Sequence, residues 1–361
     1  MTPLGDEIRA MIAADGPLSV GEYMELCLTH PELGYYTTRD PLGTRGDFIT
    51  APEISQMFGE LIGLWAAAVW QTMGSPGAVH LVELGPGRGT LIADALRALA
   101  VVPDFRAALN VHLVELSPVL RRRQEETLAG FGVPIAWHPT VADLPHAPSI
   151  VIANEFFDAL PVEQAVKVPG GWHERRIGLE GERLAFTRDP ELIMRRDDAL
   201  PVRMRGAPVG AVFEWRSDSI ARQLARHASS YGVLLVLDYG HAATGIGDTL
   251  QAVSAHGFVD PLEAPGESDL TAHVDFQALR EAAVGAGARV HGPLPQGEFL
   301  RRLGLLERAS RLKANATAAQ AAEIDAALAR LTAPGPTGMG ELFKVMAFAH
   351  PRLRTPPGFD R

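Results

Sequence analysis

From residue 79 onward, short apolar runs give way repeatedly to longer segments whose apolar residues recur at helical spacing. The run ending in "LVEL" (81–84) is followed by "GPGRG" and then by "TLIADAL", whose apolar positions fit one helix face. "VHLVEL" (111–116) is a second strand candidate. The segment after it, "SPVLRRRQEETLAGF", reads as a helix opening on Ser117 and Pro118, a good cap and a good first helical residue. "PIAW", "SIVIANEF" (149–156) and "GVLLVLDYG" (232–240) follow as strands, the last apolar enough to be buried on both faces. Near the end, "VDFQALREAAVGAG", "ARVHGPL" and "ELFKVMAFAH" read as helix, strand and strand. The alternation predicts an α/β fold, doubly wound about a mainly parallel sheet with seven strand candidates.

Two segments break the alternation. In an insert over 161–231, "QAVKV", "GWHERRIGL" and "RLAFT" are separated by "PGG" and "EGE", which predicts an antiparallel β-meander over 161–195. A second insert, over 295–335, is rich in alanine and leucine at helical spacing and predicts two helices forming a lid or side domain. Residues 1–78 predict a helix near 3–14, a polar loop "YYTTRDPLGTRGDFITAPEIS" and the apolar helix "QMFGELIGLWAAAVWQTMG". The expected division is therefore an N-terminal part (1–78), a core domain (79–350) carrying both inserts, and a tail (351–361). The stretch "LIGLWAAAVW" suits a core, or else the interface of a homodimer.

Composition narrows the function classes. With 361 residues, 47% hydrophobic and 21% charged, the chain has the make-up of a globular protein of about two domains, or of one large α/β domain with insertions. No apolar run reaches the roughly 18 residues of a membrane span. The opening "MTPLGDEIRAMIAADGPLSV" has neither a signal-peptide core nor an Arg-rich transit character, so a cytoplasmic location is expected. A net charge of −10 argues against sequence-independent nucleic-acid binding, which needs a basic surface. The single cysteine, Cys27, builds neither a disulfide nor a cysteine metal cluster, and 12 histidines without an H-x-x-x-H pattern predict no metal site.

The candidate chemistry starts at the turn after residue 84. A dinucleotide fold asks for G-x-G-x-x-G, but Thr90 stands where the third glycine belongs. A phosphate loop would need Gly-Lys-Ser/Thr, which is missing. The turn has instead Glu83 at the strand end, then Gly85, Gly87 and Gly89. Glycines admit a ligand close to the backbone, and the carboxylate can take a cationic amine. Glu115, at the end of the next strand, is placed to accept hydrogen bonds from both hydroxyls of a ribose. An amino-acid moiety and a ribose together describe S-adenosyl-L-methionine.

"VELGPGRGTL" and "LVELSP" resemble motifs I and II of class I methyltransferases. "GYYTTRDPLGTRGDFITAPEISQMFGELIGLW" with "NEFFDALPV" is similar to a narrower family, the NDUFAF7/MidA-like family, which contains the mitochondrial complex I assembly factor that methylates a protein arginine. The resemblance runs from about residue 16 to 350. It implies a seven-stranded methyltransferase fold and arginine N-methylation of a respiratory NADH dehydrogenase subunit.

A guanidinium stays protonated with a pKa above 12, so carboxylates must hold and orient it and take its proton. "NEFFDALPV" follows the fourth core strand, at the sheet edge where α/β folds bind ligands. Asn154 and Glu155 are candidates to face cofactor and substrate, Asp158 lies just beyond, and Phe156 and Phe157 either wall a flat cation or belong to the core. The resemblance also puts the loop carboxylates Asp47 and Glu53 beside the active site. Asp238, in "LDYGH", is either a substrate contact or a turn residue. Three other readings stay open: a small-molecule O- or N-methyltransferase, a non-catalytic cofactor-binding assembly chaperone, and a Rossmann dehydrogenase, against which Thr90 counts.

Overall fold

The computed structural model describes residues 2–38, 50–192, 206–254, 257–335 and 338–360. The chain forms two compact units, one of residues 1–48, 158–217 and 243–275, the other of 49–157, 218–242 and 276–361.

The second unit is built on β1 (Val79–Leu84), β2 (Leu109–Val114), β3 (Ile135–His138), β4 (Ser149–Asn154), β5 (Gly232–His241), β6 (Arg289–Pro295) and β7 (Phe343–Ala349). They lie in the order β3-β2-β1-β4-β5-β7-β6. β1 runs parallel to β2 and β4, β3 to β2, and β5 to β4, whereas β7 is antiparallel to β5 and β6. The chain moves outward from β1 to β3 and then returns to β4. In open α/β sheets the crevice beyond the strand ends at such a reversal is where ligands bind.

Helix α1 (Gln56–Thr72) is apolar nearly all round and buries Phe58, Ile62, Trp65 and Trp70. It packs on α2 (Thr90–Ala98) by close backbone approach: a Cβ on Gly63 would stand 2.7 Å from Ala95 Cα. Helix α3 (Pro118–Leu128) is capped by Ser117, whose hydroxyl accepts from the Leu120 N–H. The helices over Ser219–Tyr231 and Phe276–Gly285 complete the alternation.

The stretch expected as two helices forms three: Gln296–Arg302, Leu305–Lys313 and Ala318–Thr332. Gly304, at φ 92°, starts the second of these, and a Thr317 capping box starts the third. Arg308 ties the middle helix to α1 by donating to both Glu60 oxygens at 2.7 and 2.8 Å.

The first unit is β-rich. Strands Val162–Val168, Gly171–Glu180 and Arg183–Leu192 pair antiparallel in sequence, and Val212–Arg216 pairs with the first of them. Leu18–Ser19 pairs with the Gly171–Glu180 strand. Gly257–Val259, Gln251–Ser254 and Asp269–Thr271 form a separate three-stranded sheet. The helices Pro3–Asp15 and Val20–Thr29 bury Ile8, Tyr23 and Met24 in a core that also includes Ile177 and Leu270.

The hexapeptide "VHLVEL" occurs at both 79–84 and 111–116, but the register offsets the copies. Val82, not His80, sits opposite His112, and Val114 sits opposite His138. The three imidazoles therefore form a diagonal ladder, with His80 Nδ1 2.6 Å from His112 Nε2 and His112 Nδ1 2.8 Å from His138 Nε2.

Burial lowers the His80 pKa, and burial with the neighbouring rings pushes His112 down to about 4 from 6.5. An unfolded histidine protonates near pH 6.5, whereas folded His80 and His112 resist, so the unfolded chain binds more protons on acidification. The stabilisation is complete above about pH 6.5 and is lost as the pH falls toward 4. Urea midpoints measured across that range should fall steadily. His112→Leu should flatten the profile, and an unchanged slope in that variant would remove the ladder as its cause.

Candidate functional site

Strand β1 delivers Glu83 to the sheet edge, and the chain then turns through Gly85, Gly87 and Gly89 at φ 59°, 54° and 81°. These are left-handed conformations that side chains resist, so the spacing reflects backbone geometry. A Cβ at Gly85 would sit 3.5 Å from the Phe156 ring, and one at Gly89 would sit 3.6 Å from Gln124 Cα. The turn thus lies between the start of the "NEFF" segment and α3.

Glu83 is buried at 3% exposure, and burial, reinforced by the nearby Glu115 charge, raises its pKa to about 8. Its Oε2 has no hydrogen-bond partner among the described residues. Glu115 stands one residue past β2, accepting from the Ser117 N–H at 2.7 Å and from the Gln124 amide at 2.9 Å. Burial raises it to about 7, against the lowering effect of those hydrogen bonds.

On the other side of β1, β4 ends at Asn154. The amide of Asn154 donates to Glu155 Oε1 at 3.3 Å, and so does the Ala51 N–H. Asn154 is buried, and its Oδ1 has no partner among the described residues. Glu155 has φ 48°, a strained setting for a side chain that is neither Gly nor Asn. Its N–H donates to Leu237 O at 2.9 Å.

What holds this bend is Asp238. Its Oδ2 accepts from the Phe156 and Phe157 N–H groups at 3.2 and 2.9 Å, and its Oδ1 from Tyr239 at 2.9 Å. Phe157 is buried, with Phe156 edge-to-face against it at 5.4 Å.

The expected residues separate accordingly. Glu83, Gly85, Gly87, Gly89, Glu115, Asn154 and Glu155 all stand at the ends of β1, β2 and β4. Glu53 joins them from a short helix, Ala51–Ile54, where a loop was expected; it accepts the Thr90 hydroxyl at 2.5 Å, so the residue that breaks the dinucleotide pattern anchors this carboxylate. Asp158 falls in the β-rich unit, where its carbonyl accepts from Ala272 and Arg216. Asp47 lies outside the described residues.

Asp238 proves to be a buried strand residue, not the turn residue its sequence context suggests. Gln124 went unnoticed in the sequence, although Leu120, Gln124 and Leu128 at intervals of four place it on the buried face of α3.

This arrangement fits S-adenosyl-L-methionine. Buried acceptors without partners are rare in native folds, so Glu83 Oε2 and Asn154 Oδ1 call for a ligand that donates. An ammonium suits Glu83, a ribose diol suits Glu115, and the glycine turn leaves the backbone open to close approach.

The chain matches a family model of S-adenosyl-L-methionine-dependent methyltransferases over residues 61–294. It is 38% identical to the protein arginine methyltransferase NDUFAF7 of Homo sapiens, over 84% of this chain and 74% of that protein. With the Drosophila melanogaster homolog it shares 37% identity over 95% of this chain and 84% of the other. These relatives are named mitochondrial, so the cytoplasmic expectation finds no support in them. Among the described residues no helix is long and apolar enough to cross a membrane.

A crystallised Burkholderia thailandensis protein bound to S-adenosyl-homocysteine superposes with a TM-score of 0.84 and 30% identity, over 99% of this chain and 92% of that one. The fold is that of the α/β methyltransferases, the cofactor is S-adenosyl-L-methionine, and the chain belongs to the NDUFAF7-like family of S-adenosyl-L-methionine-dependent methyltransferases.

Proposed function

We propose that the protein N-methylates an arginine of a respiratory NADH dehydrogenase (complex I) subunit and so supports assembly of that enzyme. The observation that carries this reading is identity of about 38% to proteins named protein arginine methyltransferase NDUFAF7, over about four fifths of the chain. The carboxylates at the site support it, because a guanidinium must be both oriented and relieved of a proton. The strand order, with β7 antiparallel, supports reading 79–350 as a seven-stranded class I domain carrying the inserts at 161–231 and 295–335.

In this reading Glu83 holds the cofactor's ammonium, Glu115 its ribose hydroxyls, and Asn154 a neighbouring polar group. The cofactor supplies an electrophilic methyl on a sulfonium. Glu155 orients one guanidinium nitrogen and accepts its proton as the nitrogen gains the methyl group. Glu53, held by Thr90, is a second carboxylate proposed to serve the acceptor. Positioning of this kind supplies much of the rate in group transfer.

The test is to incubate the protein with radiolabelled cofactor and purified NADH dehydrogenase subunits, followed by mass spectrometry of any labelled band. Methylarginine on a single subunit is the expected result. Label in a small molecule alone, or no labelled band from protein that binds S-adenosyl-homocysteine, overturns the reading.

The role of Glu83 gives a second expectation. With a pKa of about 8, it is about nine-tenths protonated at pH 7 and must ionise to accept an ammonium. Binding of S-adenosyl-homocysteine at pH 7 should release about one proton from Glu83, beside up to about half a proton from Glu115, measured by calorimetry in buffers of different ionisation enthalpy. Glu83→Gln should remove most of that release and weaken binding at least tenfold. Equal proton release in the variant would exclude Glu83 as its source.

A further inference from the structure

Gln124 is fully buried in α3 and contacts both halves of the cofactor site. Its Nε2 donates to Gly87 O at 2.7 Å and to Glu115 Oε2 at 2.9 Å. Its Oε1 accepts from Trp137 Nε1 at 2.8 Å. An indole nitrogen only donates, so Trp137 forces the amide oxygen toward itself and turns the NH2 group toward the two acceptors. Every hydrogen-bonding position of the amide used here has one chemically permitted partner. Glutamate at 124 would set a carboxylate against Glu115, and leucine would leave the Gly87 carbonyl and the Trp137 N–H without partners.

We propose that Gln124 is a positioning residue for the cofactor, holding the glycine turn and the Glu115 carboxylate at a fixed separation. The inference rests on the reading that Glu115 takes the ribose. The turn and the carboxylate come from different strands, β1 and β2, and each end of the cofactor meets one of them. Two parallel strands fix each other's register but leave the loops beyond them free to diverge. Gln124 closes that gap with a single side chain whose orientation is set by a third strand, through Trp137 on β3. A Cβ added at Gly89 would stand 3.6 Å from both Gln124 Cα and Cγ, so the last glycine of the turn faces the same helix.

Glu115 also senses this contact, since the Gln124 hydrogen bond favours its ionised form while burial opposes ionisation. Arg121, one turn earlier on α3, is a charged neighbour of this network, its guanidinium 5.5 Å from the Trp137 ring. Loss of Gln124 therefore acts on affinity by displacement and on pH dependence by removing a donor. A purely structural role would produce only the first effect.

The experiment compares S-adenosyl-homocysteine affinity by calorimetry from pH 6 to 9 in wild type, Gln124→Met, Trp137→Phe, Glu115→Ala and the Gln124→Met/Glu115→Ala double variant, each checked for a cooperative melt. Methionine keeps the volume at 124 and removes the donors. Trp137→Phe, at a half-buried site, releases the amide while leaving Gln124 in place should the first variant not fold.

The expected result is a loss of about tenfold for Gln124→Met and a smaller one for Trp137→Phe, with the midpoint of the pH profile moved upward. No further loss is expected when Gln124→Met is added to Glu115→Ala. If Glu115→Ala binds like wild type, the ribose reading fails and the inference fails with it. If Glu115→Ala weakens binding but Gln124→Met does not, or if the two losses multiply in the double variant, the positioning role alone is overturned.

Discussion

Glu155→Gln is expected to lower methyl transfer to a protein arginine by a factor of about 100 or more, while S-adenosyl-homocysteine affinity stays within about threefold. Glutamine keeps the shape of the side chain and one acceptor oxygen, so the bonds from Ala51 and Asn154 to Oε1 can persist. What it cannot do is take a proton. A guanidinium with a pKa above 12 is protonated in the ground state, and its nitrogen gains nucleophilic character only as that proton leaves.

The carboxylate also matters before the chemistry, because two parallel hydrogen bonds to a guanidinium fix its plane and so aim the reacting nitrogen. The backbone at φ 48° shows that the chain accepts strain of about 1–3 kcal/mol to present this side chain where it does. Measuring the single-turnover rate and the affinity on the same preparation separates the two effects. A Glu155→Gln variant with wild-type turnover would move the proton acceptor to another of the carboxylates, Glu53 being the next in line.

Much of this was legible from residue patterns because parallel strands buried on both faces write themselves as continuous apolar runs. "VHLVEL", "SIVIANEF" and "GVLLVLDYG" became β2, β4 and β5 within a residue or two of their expected ends. The glycine turn was legible for a different reason: three positive φ values at alternate positions leave few residue types other than glycine.

The expectation of two helices after residue 295 missed the division at Gly304, since leucine and alanine spacing continues across it and only the glycine marks the break. Longer-range partners were less visible. Thr90 counted in the sequence as a missing glycine, and only three-dimensional proximity shows its hydroxyl on Glu53, 37 residues away. Gln124 looked like one more polar residue in an Arg- and Glu-rich helix, although its interval from Leu120 and Leu128 marked the buried face. The hexapeptide repeat at 79–84 and 111–116 was also present in the sequence, but a two-residue register offset, which no pattern of apolar residues reveals, makes it a histidine ladder.

Asp238→Ala is expected to destabilise the protein by about 3–5 kcal/mol and to reduce methyl transfer in whatever fraction still folds. Asp238 is wholly buried on the central strand β5, and its carboxylate accepts three backbone N–H groups, those of Phe156, Phe157 and Tyr239. Alanine leaves those donors without partners in the interior, at a cost of about 1–3 kcal/mol each before any rearrangement.

The isosteric change is informative for the opposite reason. In Asp238→Asn one oxygen becomes an NH2 group, and both carboxylate oxygens already face donors, so either orientation sets N–H against N–H. The asparagine variant is therefore expected to resemble alanine more than wild type, a loss of about 2–4 kcal/mol in urea denaturation.

The two variants should also share a functional signature. The Phe156 and Phe157 N–H groups are the anchor immediately after Glu155, so freeing them lets the strained residue relax toward φ below zero and carries its carboxylate off the acceptor. Turnover should then fall well beyond the unfolded fraction, while S-adenosyl-homocysteine, which the proposed reading assigns to Glu83 and Glu115 on other strands, should still bind to the folded molecules. A variant that loses stability but keeps full turnover per folded molecule would show that the bend at Glu155 is held by the Leu237 carbonyl and the sheet alone.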